Sequence, residues 1–597
     1  MAWLNYHFID LSTAEKQARR QTLDQYALYA QLSALIPVAA VLLYRLAKRA
    51  TNSGASSNGR YAAVPSSPVL KERRNSNGWT WSSRTRRAQW WLGEDVVVAG
   101  TVRGQRDQWL VGILWTAWLL LLSVSETGED YLHLTKRLGL VAVSQWPLQY
   151  LLALKSLNPV AYLLRSSHER VNRWHRVLAR ITTTLLYLHA ALYLNFFVQR
   201  DRLDRLVDPV VFAGVVAFLG LNLLVTTALR RVRRFSYRLF FIIHLVGAII
   251  IPLMIIVHAA PARAFLFEAL GVFLVDLVSR KMDTVTGNAT METIPGTNLV
   301  KISASIPQAK VNRFRAHPGS HIYLSIPDAA RKSMSSASIS HLLFEFLFNP
   351  FTVAAVDQNS GDLTLVARHC GGPMTAALGR LAGVAKNNSS SSRNGAGVDK
   401  IPLSIEGPYG AAGRFPQLGT DFDRILLVAG GVGATFTLPL YRSIVNENPG
   451  ARVEMVWALR GAGDATWAMT GTEAQALLRD DNIHLFVTGD TVDPQGLDRR
   501  TNGQAEGSRV GRDEGGQQVE LSALYRDRRR DRYTSQHSRK RPDLKNIVDD
   551  LFKYGPEERV AVLVCGPNEM ARELREHVGV WVKRGRPVWY HKEGFGF

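Results

Sequence analysis

The stretch "NRWHRVLARITTTLLYLHAALYLNFF", residues 172–197, reads as one apolar helix, yet it carries two histidines, His175 and His189, fourteen positions apart. Fourteen steps of 100° leave the second imidazole about 40° from the first and roughly 21 Å further along the axis. One helix face therefore offers two imidazoles separated by most of a bilayer. The stretch "FSYRLFFIIHLVGAIIIPLMIIVHAA" repeats the interval with His244 and His258. A single histidine in such a helix is ordinarily a packing or interfacial hydrogen bonder. Four at matched intervals ask for a shared partner.

The 597 residues exceed what one core organises, so several domains are expected. Mean hydropathy is close to zero because apolar runs crowd the first half while the second half has a soluble composition. Runs able to cross a bilayer occur at roughly 26–47, 109–125, 137–157, 173–198, 208–229, 236–258 and 262–279. The net charge of +22 concentrates beside these runs, in 48–108 and in "LRRVRRFSYR", and in one polar insertion. Both basic loops are expected in the cytosol, which puts the N-terminus outside and everything after Arg280 inside. The N-terminus lacks the basic start and small-residue cleavage site of a signal peptide, so insertion is expected to use a retained span. Residues 51–60, 386–397 and about 491–545 read as disordered insertions. The arginine-rich tract "YRDRRRDRYTSQHSRKR" falls in the last of these, which argues for a solvated loop and against a nucleic-acid partner. Only Cys370 and Cys565 are present, so neither a disulfide framework nor a cysteine metal site is indicated.

By this topology the two histidine helices run the same way, placing His175 level with His244 and His189 level with His258. Two facing neutral imidazoles suit six-coordinate haem iron, which transfers electrons and has no open position for oxygen. Zinc fits less well, because ligands so far apart along the axis cannot converge on one ion. His133 and His168 have no partner at this interval and read as interfacial or loop residues.

Beyond residue 285, "NLVKISASIP", "GSHIYLSIP", "FTVAAVDQ" and "GDLTLVARH" alternate as strands of a small antiparallel barrel. "RILLVAGGVGATFTLPLYRSIV", "VEMVWALR" and "RVAVLVCGPNEMARELREHV" read as buried strands, two of them followed by helices, of a doubly wound parallel sheet. The turn "AGGVGAT" places Gly430, Gly431 and Gly433 where backbone amides can approach a pyrophosphate. Arg460 ends the next strand, where a cation favours NADPH over NADH.

On the paired histidines, "NPFTVA", "AGGVGATFTLPLY", "CGPNEM" and the terminal "HKEGFGF", the chain resembles the ferric reductase and NADPH oxidase family of transmembrane flavocytochromes, most closely the fungal ferric-chelate reductases. The likeness runs from about residue 109 to the end. It implies a multi-domain chain: an α-helical transmembrane haem bundle, then a β-barrel FAD-binding domain, then an α/β NADPH-binding domain of ferredoxin-reductase type. The expected divisions are an N-terminal segment, span and basic linker at 1–108, a six-helix haem domain at 109–280, the FAD barrel at 285–418 and the NADPH domain at 419–597. The resemblance further implies two b-type haems on His175, His189, His244 and His258, and a flavin cradle at Asn349, Pro350, Phe351 and Thr352. The family has histidine where Asn349 stands. A second flavin segment nominates Arg368, Gly371, Gly372 and Thr375. Gly407 in "EGPYG", with Cys565 and Gly566 in "CGPNEM", would line the nicotinamide nucleotide, and Phe597 would stack on the flavin. "HPGSHIYL" resembles a barrel strand of the family and is read as structural.

The implied activity is an NADPH-dependent ferric-chelate reductase, with hydride passing to FAD and single electrons passing through two haems to ferric iron outside, and no catalytic residues beyond the cofactors. Membrane lipid, ferric iron or its chelates, and an iron permease or oxidase downstream are the implied partners. The plasma membrane is the expected site, with the vacuolar membrane giving the same topology. An NADPH oxidase producing superoxide shares every feature except the acceptor. A transporter or receptor with a nucleotide-binding tail would instead cluster its polar intramembrane groups at one depth.

Overall fold

The computed structural model describes residues 5–53, 79–327, 348–357, 360–369, 372–391, 400–468, 480–489 and 541–594, with the single residues 330 and 477. Gly371, Phe597 and most of the insertion at 491–545 lie outside the described residues. The chain divides into two compact units, residues 1–61 with 91–283, and 62–90 with 284–596.

The first unit is helical: α1 (Thr13–Ser33), α2 (Leu35–Ser53), α4 (Arg106–Val124), α5 (Tyr131–Ser144), α6 (Trp146–Leu151), α7 (His168–Gln199), α8 (Pro209–Ala228), α9 (Tyr237–His258) and α10 (Arg263–Asp283), with a hairpin of β1 (Asp95–Val98) and β2 (Thr101–Gln105) ahead of α4. Among the described residues, five helical stretches are long and apolar enough to cross a membrane: Thr13–Ala47, α4, α7, α8 and α9. Leu219, Leu223, Val246, Ile250 and Leu253 on α8 and α9 are 41–62 % exposed, an apolar surface suited to lipid. The run expected to span 137–157 is broken instead. Pro147 has no N–H to continue the ladder, so α5 stops at Ser144 and α6 restarts at Trp146. At the break, the buried Gln145 donates to Ala30 O (2.8 Å) and accepts from Trp115 Nε1 (3.3 Å). His133 is buried within the protein: its Nε2 lies 2.8 Å from Arg137 Nη2 and 3.2 Å from Thr22 Oγ1.

The second unit opens with α3 (Trp79–Leu92), whose residues up to Trp90 belong to it. The Trp90 ring packs edge-on to Tyr590 (5.5 Å) beneath the Arg575 guanidinium (4.3 Å). Six strands then close an antiparallel barrel in the order β3-β4-β7-β6-β5-β8. They are β3 (Val285–Thr293), β4 (Leu299–Ser305), β5 (His321–Ser325), β6 (Asn349–Val356), β7 (Leu363–Arg368) and β8 (Ile401–Tyr409), with α11 (Pro373–Ser391) between the last two.

A parallel sheet follows, in the order β11-β10-β9-β12-β13. Its strands are β9 (Arg424–Gly430), β10 (Val453–Leu459), β11 (Ile483–Val487), β12 (Val560–Cys565) and β13 (Val588–Glu593). Period-two alternation sends Ile425, Leu427, Ala561 and Leu563 to one face, under α12 (Ala434–Glu447). Leu426, Val428, Val562 and Val564 go to the other, under α13 (Leu544–Phe552) and α14 (Asn568–Lys583). The first of these cores also takes in Leu299, Ala354 and Val366 from the barrel strands, so barrel and sheet share one apolar seam.

Candidate functional site

The two histidine helices meet level by level. The ring centroids of His175 and His244 are 6.1 Å apart, and those of His189 and His258 are 6.4 Å apart. Matched levels on helices with equal spacing mean that α7 and α9 run the same way. Two imidazoles on opposite sides of one ion, each ligated at the ~2.0–2.1 Å usual for histidine nitrogen, would have ring centroids roughly 6.3 Å apart. Both pairs fit that span.

Hydrogen bonds fix three of the four tautomers. His175 Nδ1 donates to Gln149 O (2.9 Å), His189 Nδ1 to Thr135 O (2.7 Å) and His258 Nδ1 to Val210 O (2.9 Å). A carbonyl only accepts, so each Nε2 keeps its lone pair for a metal. His175 Nε2 meets the Gln149 side-chain amide at 3.3 Å, while His244 Nδ1 is buried without a hydrogen-bond partner among the described residues. Among the described residues no three His, Cys, Asp or Glu side chains converge on a metal position. Each level thus offers two facing imidazoles, a donor set that would suit a group bringing its own remaining ligands.

On the barrel, cross-strand pairing decides which flavin-motif residues share a face. Thr352 pairs with His321 and Pro350 with Tyr323, whereas Phe351 pairs with Ile322 and packs against the barrel core. Pro350 and Thr352 therefore look outward beside His321 and Tyr323, and the Phe351 ring turns inward. Asn349, paired with Leu324, shares the parity of Phe351. Tyr409, whose hydroxyl donates to the buried Glu406, joins the outer cluster, with rings 5.4 Å from Tyr323 and 6.1 Å from His321. Gly407 has φ +135°, and a Cβ there would stand 3.2 Å from His321 O. The histidine read as structural thus sits among the motif residues.

Arg368 ends β7 and reaches the glycine turn: a Cβ on Gly431 would come within 3.2 Å of its Nη2, which also lies 3.6 Å from Asp464. The fold thereby joins the expected flavin arginine to the expected nucleotide turn. Gly372 O accepts from Thr375 Oγ1 (3.1 Å) at the start of α11. Gly431 has φ +57°, a left-handed conformation that glycine adopts without a Cβ penalty, and its carbonyl accepts from Trp457 Nε1 (2.9 Å) on β10. Gly430 and Gly566 face each other across the β9 and β12 ends, with a Cβ on Gly566 only 3.0 Å from Gly430 N. The Cys565 thiol is buried beside Gly433; burial, with the nearby Glu593 charge, pushes it above the ordinary thiol range. Arg460 is exposed just past β10, and its carbonyl accepts from Gly489 N (2.8 Å).

Three family models match in the order of these units: ferric reductase like transmembrane component at 138–255, FAD-binding domain at 285–413 and ferric reductase NAD binding domain at 422–579. Part by part, the chain is similar to the ferric reductases. A probable metalloreductase AIM14 of Meyerozyma guilliermondii is 25% identical over 505 residues, covering 82% of this chain and 87% of the relative. The ferric/cupric reductase transmembrane component 2 of Schizosaccharomyces pombe is 20% identical over 507 residues, covering 79% and 82%. Among solved structures, phthalate dioxygenase reductase aligns over 53% of this chain and 69% of its own at 14% identity, with a TM-score of 0.29. The chain is an integral membrane protein with FAD- and NAD-binding domains. The backbone acceptors Thr135, Gln149 and Val210, and the turn brace Trp457, were not visible in the sequence, because each lies 26 or more residues from the group it holds.

Proposed function

We propose that the chain is a transmembrane metalloreductase that takes reducing equivalents from NADPH in the cytosol and delivers single electrons to ferric iron, or a ferric chelate, across the membrane. The observation that carries this reading is the pair of imidazole pairs, each at the ring separation that a shared metal ion requires. His175 and His244 would hold one haem, and His189 and His258 a second, within the division 109–280. When bound, the flavin supplies the conversion of a hydride into single electrons and the haem irons supply one-electron transfer.

The chain's own residues bind and orient. Pro350 and Thr352 offer the outer barrel face to the flavin, and Arg368 sets a guanidinium beside the glycine turn, where phosphate oxygens would be held bidentately. The Gly430–Gly433 turn leads into the N-terminus of α12, where backbone amides would meet the nucleotide pyrophosphate. A thiol held protonated by burial makes Cys565 a neutral wall rather than a nucleophile. The basic loops at 48–108 and 230–238 favour the cytosolic side for both nucleotide domains, and the plasma membrane is the proposed location. The printed names of the relatives, metalloreductase and ferric/cupric reductase, favour a metal acceptor.

Membranes from a heterologous host should show a low-spin spectrum that NADPH reduces, and sealed vesicles of known sidedness should reduce an external ferric chelate. Colourless purified protein would end the reading, and chelate reduction abolished by superoxide dismutase would make dioxygen the acceptor. Arg460 carries the NADPH preference. Losing one charge-assisted hydrogen bond to the 2′-phosphate, about 1.5–3 kcal/mol, predicts that Arg460→Ala weakens NADPH about 10- to 100-fold. Turnover with NADH should be unchanged; an unaltered NADPH/NADH ratio would remove Arg460 from the cofactor site.

A further inference from the structure

We propose that Gly139 and Gly214 are positioning residues for His189 and His258, and that they make the two haem levels electronically unequal; the inference rests on the bis-imidazole reading above. Thr135 O, which accepts from His189 Nδ1, is the carbonyl whose helical donor is the N–H four residues on, at Gly139. Val210 O, which accepts from His258 Nδ1, stands in the same relation to Gly214. A Cβ at 139 would lie 2.7 Å from His189 Nδ1 and 2.9 Å from its Cε1; one at 214 would lie 2.5 Å and 2.6 Å from the same atoms of His258. Neither imidazole could reach its carbonyl past an alanine. Glycine inside a helix costs about 1 kcal/mol against alanine. Here two helices carry it at the same offset from the carbonyl, each against a ligand of the same level.

The other level is built differently. His175 bonds to Gln149 O near the end of α6, where carbonyls have no helical donor and no glycine is needed for access. Among the described residues, His244 Nδ1 is buried with no hydrogen-bond partner. A carbonyl on the second nitrogen fixes ring orientation and raises ligand basicity, which favours the oxidised metal. The His189–His258 level has two such ligands and the His175–His244 level one. The glycines therefore hold the first level at the lower reduction potential and with both ring planes fixed.

The test uses the full-length protein in membranes, read by electron paramagnetic resonance of the oxidised state and by anaerobic redox titration. Gly139→Ala and Gly214→Ala should each shift the g-values of one low-spin component and raise its midpoint, leaving the other component in place. Gly220→Ala, on α8 with its Cβ 3.2 Å from Ile251 Cγ1, should move neither. Unmoved signals in both variants would overturn the inference while leaving the haem reading intact; a wild-type protein without low-spin signals would instead fail the haem reading. The unmutated protein gives a readout free of folding effects. Its exchangeable imidazole protons, seen by double resonance, should show two hydrogen-bonded ligands at one haem and one at the other, and equal numbers at both would overturn the inference.

Discussion

Replacing His189 by alanine should leave a protein that still accumulates in membranes, still oxidises NADPH with a soluble dye, and fails to reduce an external ferric chelate. The physical reason is local. His189 and His258 face each other at 6.4 Å between ring centroids, so one imidazole cannot close a six-coordinate site alone. Disturbing only the outer partners of a metal ligand costs 10–100-fold, so deleting the ligand should lower transmembrane reduction by more than about 100-fold. One of two low-spin signals should vanish, and the component assigned to His175 and His244 should persist. The dye-linked activity depends on residues 284–596, which with 62–90 form their own compact unit, and should stay within about twofold. Full chelate reduction by the variant in sealed vesicles would mean that electrons do not pass the His189 level.

Gly433→Ala should have the second large effect, for a different reason. A Cβ there would sit 2.0 Å from Cys565 O and 2.7 Å from the carbonyl carbon, both backbone atoms of the interior strand β12. A flexible side chain could swing away, but a strand fixed between β9 and β13 cannot. Relief requires moving the glycine turn, at an overpacking cost of about 3 kcal/mol. The turn carries the amides expected to meet the nucleotide, so KM for NADPH should rise more than about tenfold alongside the loss of stability. Dye-linked kinetics and thermal unfolding of the full-length protein check both. Gly383→Ala, on α11 with nothing within 4 Å of its Cβ, is the control and should be neutral or slightly stabilising. Normal KM and stability in Gly433→Ala would mean that the strand ends are looser than they stand.

The local patterns that proved readable share a cause. Histidine spacing on α7 and α9 follows from the helical period, so facing levels could be anticipated once both helices were placed in one membrane. The barrel strands at Leu299–Ser305, Asn349–Val356 and Leu363–Arg368 were legible through alternation, and those at Arg424–Gly430 and Val560–Cys565 as continuous apolar runs. Strands β3, β8 and β13 were not, because "VTGNATMET", "IPLSIEGPY" and "VWYHKE" carry polar residues, proline or glycine that match no clean period. Within the flavin motif, sequence grouped Pro350, Phe351 and Thr352 together, and only the strand pairing separates them into opposite faces.

What the chain determines by itself is the order of its parts and the two ladders of imidazoles, since both depend on spacing along one helix or one strand. What the tertiary structure alone decides is the partner of each group. Thr135 O for His189, Val210 O for His258, Ala30 O for Gln145, and Arg368 over Gly431 all join positions tens of residues apart. Such contacts leave no periodic trace, because their geometry is set by how helices and strands from separate segments pack, and a glycine in an apolar run looks the same whether or not an imidazole lies against it.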